Sequence, residues 1–136
     1  MTRFLKFCLA PAAITLTLTA CTTWRVGHAA DAAGSSQAMA GLSVWRDKSC
    51  YTCHGFGRVL AGPDLAGVME RRDHDWLRKW LKETSTMLES DPQAVAMLKD
   101  WKGVKMPNMK LNDRQIEALF AYFAQETARV RGGGAE

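Results

Sequence analysis

Cys50-Tyr51-Thr52-Cys53-His54 places two thiols and an imidazole within five residues. Side chains three positions apart share one face of a helical turn, so both cysteines present their sulfurs to the same side. A C-x-x-C-H run is the attachment signature for c-type haem. Each thiol can close a thioether bond to one of the two haem vinyl groups, and His54 is carried round to offer its imidazole to the iron. The cofactor would bring the redox chemistry, and the polypeptide would position and tune it. Other chemistries fit these residues less well. A structural zinc site wants four ligands, usually from two paired clusters, and only His28 and His74 remain as further histidines. A thioredoxin-like C-x-x-C expects a βαβ surround, whereas this chain reads helical. The expectation is one covalent haem c and single-electron transfer.

A second axial ligand decides whether such an iron shuttles electrons or binds small molecules. Met106 is the candidate, in Gly103-Val104-Lys105-Met106-Pro107-Asn108-Met109. A residue before proline is pushed out of helical geometry, which predicts Met106 in extended backbone on a stiff loop. Its thioether is a soft, neutral ligand, and His/Met ligation raises the reduction potential relative to two imidazoles. Met39, Met69, Met87 and Met97 are expected to fill the core. Met109 is the competitor, and its expected place is beneath the last helix.

These residues need elements to hold them, and the pattern between residues 37 and 130 is helical throughout. A first helix is predicted from about Ser36 to Ser49, with Ala38, Leu42 and Trp45 on one face. A second starts at Asp73 or Asp75 and turns Trp76, Leu77, Trp80, Leu81 and Leu88 inward. Asp91-Pro92 reads as a cap followed by proline at the first helical position, opening a short helix with Ala94, Val95 and Leu98 inward. The last begins at Asn112 with Gln115 as a capping box, and runs through Ile116, Leu119, Phe120 and Phe123 to about Val130. No strand is predicted, so the fold class is all-α.

Residues 1–20 read as a leader. Arg3 and Lys6 form a basic start, and Phe7 to Ala20 an apolar stretch too short to span a bilayer stably. It ends in Leu18-Thr19-Ala20-Cys21, similar to the lipobox of bacterial lipoproteins, in which the cut precedes a cysteine that carries the lipid. The alternative is an ordinary leader cut after an alanine such as Ala30, leaving a soluble periplasmic protein. Thr22, in place of an acidic residue associated with inner-membrane retention, points to the outer membrane. Cys8 would leave with the leader, so no cysteine is left for a disulfide, and the periplasm is inferred from the leader rather than from bridges. Residues 21–36 read as a flexible tether, 37–130 as one domain and 131–136 as a frayed tail.

The formal charge of +4 falls by two when Arg3 and Lys6 leave. Basic residues alternate with acids, and no basic stripe with exposed aromatics argues for nucleic acid. Arg78, Lys79, Lys82, Lys99, Lys102 and Lys105 could gather on one side and steer an acidic partner, although such runs are commonly solvated helix faces.

The stretch from Gly41 to Phe123 resembles a class I, monohaem cytochrome c domain. In that family a glycine and an aromatic on the first helix cross an aromatic on the last, and Gly41, Trp45 and Tyr122 fit those places. Gly62-Pro63-Asp64-Leu65 resembles the loop whose proline carbonyl accepts a hydrogen bond from the proximal histidine, a role the resemblance carries to Pro63. Met106-Pro107 matches the family's ligand loop. The resemblance implies three to five helices around one haem, ligated by His54 and Met106. More narrowly, Arg71-Arg72-Asp73, Asp91-Pro92 and Met106-Pro107-Asn108 are similar to small cytochromes that accompany periplasmic respiratory enzymes of denitrification or sulfur oxidation. Arg71 and Arg72 would suit haem propionates, against the plainer reading of a solvated loop, and an indole of Trp76 or Trp80 could reach one. The function expected is a membrane-tethered electron carrier that meets redox protein partners, as a monomer or one subunit of a complex. The alternatives are a dedicated subunit of a larger oxidoreductase, or a haem gas sensor or peroxidase from which Met106 dissociates.

Overall fold

The computed structural model describes residues 22–133, with side chains from residue 34 onward. The leader, Cys21 and the last three residues lie outside the described residues, as does the side chain of His28. Among the described residues there are helices and no strand, as the sequence predicts. Helix α1 spans Thr22–Asp47, α2 Val68–Arg71, α3 His74–Ser90, α4 Pro92–Asp100 and α5 Asp113–Arg131, with a 3-10 turn at Cys50–Thr52.

The first helix begins well before Ser36, so the segment read as a tether is helical from Thr22. Its composition explains the difference. The stretch holds many alanines and no proline, and alanine is the strongest helix former. The remaining boundaries follow their caps. Asp73 caps α3 by accepting from the Trp76 backbone N–H at 2.8 Å. Asp91 accepts from Gln93 and Ala94 at the start of α4, where Pro92 sits in the first turn. Asn112 and Gln115 form the reciprocal box that opens α5. Each satisfies backbone donors that a helix start leaves orphaned.

The frame is the crossing of α1 over α5. Gly41 is buried there, and a Cβ added to it would stand 2.0 Å from the Ala118 carbonyl oxygen and 2.7 Å from Tyr122 Cβ. With no side chain in the way, one turn further on, Trp45 packs its ring 5.8 Å from Tyr122, 6.0 Å from Phe123 and 5.3 Å from Phe56. Burying such rings supplies much of the core's apolar contact. Helix α3 adds Leu77, Trp80, Leu81 and Met87, and α5 adds Ile116, Leu119 and Phe120.

Helix α3 is bent. Glu83 leaves helical geometry at φ −132°, ψ 37°, and the fully buried Thr84 turns its hydroxyl back to the Trp80 carbonyl at 2.6 Å. Such back-bonding is a known source of helix bending. The bend lets Trp80 from the first half and Leu88 from the second line the same cavity.

Candidate functional site

The two cysteines stand at the end of α1, where the chain tightens. Cys53 N–H and His54 N–H both donate to the Cys50 carbonyl, at 3.2 and 3.0 Å. In a 3-10 turn, residues three apart eclipse one another, so the spacing read from sequence brings both sulfurs to one side. Both are free thiols and half-buried. Burial pushes the Cys50 thiol above its ordinary value, opposed by a backbone hydrogen bond and reinforced by the neighbouring Cys53. The pair and His54 line a cavity of about 240 Å³, together with Trp80, Met106 and Met109. A smaller space of about 80 Å³ beneath it shares Cys50, His54, Met106 and Met109 and reaches Leu119 and Phe123.

His54 is held in one orientation. Its Nδ1 lies 2.9 Å from the Pro63 carbonyl oxygen. A carbonyl can only accept, so Nδ1 carries the proton and Nε2 keeps a free lone pair. Gly62, just before Pro63, is buried against the ring, and a Cβ there would sit 2.6 Å from His54 Cε1. The loop that presents Pro63 is closed by its own polar groups. Asp64 Oδ1 accepts from Gly57 and Ala66 at 2.9 and 2.8 Å. Arg71 donates to the Ala66 and Asp64 carbonyls. Gly67, at φ +71°, a conformation glycine adopts without strain, donates to the buried Thr127 Oγ1 at 2.9 Å. Beside this contact Arg131 pairs with Glu70.

Met106 is half-buried in its loop, and its Sδ accepts from the Trp80 indole N–H at 3.2 Å. Met109 reaches both spaces as well, so the two sequence rivals line the same spaces. Of these two methionines, Met106 alone has a hydrogen-bonded sulfur among the described residues.

Other candidates lie elsewhere. Arg71 is occupied in closing the loop, and Arg72 stacks over Trp76, 5.8 Å from its centroid. The Trp76 indole donates to Asp91 at 3.2 Å. His74 meets the Met69 carbonyl at 3.0 Å and lies beside Phe120. The basic run is partly neutralised: Arg78 pairs with Asp75 and Glu117, and Lys82 with Asp113. Lys48 and Lys105 line the large cavity. Sequence reasoning missed the donor role of Trp80 and the Thr127 anchor, since both join residues far apart in the chain.

Haem c, the group a C-x-x-C-H run implies, fits these residues. Two unpaired thiols, an imidazole with Nε2 free and a thioether face one largely apolar cavity, and Gly62 leaves no bulk against the ring. Among the described residues no three His, Cys, Asp or Glu side chains cluster as a metal site, and no helix is long and apolar enough to cross a membrane.

The family model for cytochrome c matches residues 38–126. The chain is 37% identical to the cytochrome c domain of the pp3183 protein from Pseudomonas putida, over 71% of this chain and 95% of that one, with a TM-score of 0.62. It shares the fold of a cytochrome c from Rhodothermus marinus at a TM-score of 0.63 and 22% identity, over 70% and 80% of the two chains. No curated protein matches it.

Proposed function

The chain belongs to the cytochrome c family, and from that premise we propose a membrane-tethered, periplasmic electron carrier with His54 and Met106 as its axial ligands. Membership of the family brings a covalent haem c and haem-based electron transfer. When bound, haem c supplies a one-electron ferric/ferrous couple. Cys50 and Cys53 hold it through thioether bonds. The Pro63 carbonyl fixes the His54 ring by accepting from Nδ1, the kind of outer contact that orients a ligand, and this would leave Nε2 to hold the iron. Met106 would supply the second ligand from the same cavity. With His54 and Met106 both set by the fold, little movement of either side chain would be needed when such a group gains or loses an electron. The carrier has no substrate chemistry of its own.

The observation that carries this reading is the shared cavity. Cys50, Cys53, His54 and Met106 all line it. Lys48 and Lys105 at the same cavity would favour an acidic partner. The tether rests on Leu18-Thr19-Ala20-Cys21, with lipid on Cys21 and the outer membrane as its site.

One preparation, the full chain made in a host that matures c-type haem, tests these assignments. Its pigment should resist extraction into acidified organic solvent, and its ferric form should show the weak far-red band of thioether ligation. Met106→Ala should abolish that band and Met109→Ala should spare it; the reverse would move the ligand to Met109. The pigment should fractionate with membranes and become soluble in Cys21→Ser. Membrane association that survives this change would remove the lipid anchor from the reading.

A second reading, a dedicated subunit of a larger respiratory oxidoreductase, draws on exposed Val59 (65%) and Val104 (57%). A partner that stays bound through purification would favour it, and a monodisperse monomer would count against it.

A further inference from the structure

We infer that Trp80 is a positioning residue for Met106, and that its indole N–H holds the sulfur in place and raises the reduction potential. The inference rests on the reading of Met106 as the second axial ligand. Trp80 is buried, and its Nε1 donates to Met106 Sδ at 3.2 Å. A buried donor left without a partner is costly, so the indole has reason to stay on the sulfur. A thioether sulfur has two lone pairs. With one engaged by the N–H, the other is left for a metal on the cavity side.

The loop itself does little to fix Met106. Between the Val104 N–H bond to Trp101 and the Lys110 N–H bond to Asn108, the only hydrogen bond to Lys105, Met106 or Pro107 among the described residues is the one from Trp80. The indole, by contrast, is held firmly. It stacks on Trp76 with centroids 5.5 Å apart and planes 8° from parallel. Trp76 is tied in turn to Asp91, the cap of α4. Behind Trp80 its own carbonyl is engaged by Thr84. A rigid donor therefore aims at a loosely held acceptor, and the donor sets the geometry.

The electronic consequence has a definite sign. An N–H on the sulfur withdraws electron density and makes it a poorer donor. The ferric ion depends on that donation more than the ferrous ion does, so the hydrogen bond favours the reduced form.

Trp80→Phe keeps an aromatic ring against Trp76 and removes the N–H. In the full, haem-loaded chain it should lower the potential by the equivalent of a threefold to tenfold change in the oxidised-to-reduced ratio. At 59 mV per tenfold for one electron, that is roughly 30–60 mV. The ferric far-red band should shift, and carbon monoxide should bind the reduced protein faster. Trp24→Phe, which removes an indole N–H outside the stretch that matches the family, should leave the potential in place. An unchanged potential in Trp80→Phe, or an equal shift in both variants, would overturn the inference. A wild type without the far-red band, or a Met106→Ala protein with wild-type potential, would instead overturn the ligand assignment and the inference with it. If Trp80→Phe does not take up haem, the wild-type indole N–H decides. A slowly exchanging proton resonance that moves between oxidation states supports the inference, and a rapidly exchanging one overturns it.

Discussion

His54 depends on an atom that is absent. The ring can reach the Pro63 carbonyl only because Gly62 lacks a Cβ, and a methyl there would stand 2.6 Å from Cε1 and 2.9 Å from Nδ1. Gly62→Ala should force the imidazole to turn and break the Nδ1–H bond. Losing that acceptor lowers the basicity of the ring, so the expected outcome is a lower yield of haem-loaded protein and a raised potential in what remains. A redox titration beside wild type checks both. At this scale much was legible, because the C-x-x-C-H run and Met106-Pro107 carry their chemistry in consecutive residues. Trp80 was legible as an inward aromatic whose indole could reach a propionate, and not as a donor to Met106. Its partner lies 26 positions away, and nothing in a local pattern says where an indole N–H points.

The α1–α5 crossing is the element on which the cavity is hung. Gly41→Ala would drive a methyl to within 2.0 Å of the Ala118 carbonyl oxygen, a clash with backbone that no rotamer relieves. We expect a loss of about 3 kcal/mol or more, at the upper end for overpacking, read as a lower denaturation midpoint in urea. The caps of α3, α4 and α5 were readable from Asp73, Asp91 and Asn112, because capping needs a short polar side chain at a fixed offset. Two features were not. The bend at Glu83 arises from the Thr84 hydroxyl competing for a helix carbonyl, and threonine also occupies unbent helices. The early start of α1 was hidden because alanine, glycine and serine together suggest a linker, while the alanines by themselves favour helix.

The whole molecule should weaken in acid. Glu70 lies below its ordinary value because of the Arg131 guanidinium. Asp91 is lowered by the Ala94 backbone N–H, with Trp76 and Gln93 adding to it. A carboxyl whose folded value is depressed adds stability above its unfolded value and loses it as pH falls through the folded one. Both groups are open to water, so the effect is modest and screened by salt. The melting temperature should therefore fall below about pH 4, the ordinary carboxylate range. The fall should be shallower in Asp91→Asn and Glu70→Gln, measured by thermal melts across that range. A slope identical to wild type in both variants would assign acid sensitivity to other groups.

The buried bond from Gly67 to Thr127 spans 60 positions, and the crossing of α1 over α5 joins the two ends of the domain. A polypeptide that emerges from its amino end cannot complete this architecture until its final helix arrives. Cys50 and Cys53 are thus synthesised before the helix that completes the frame around them.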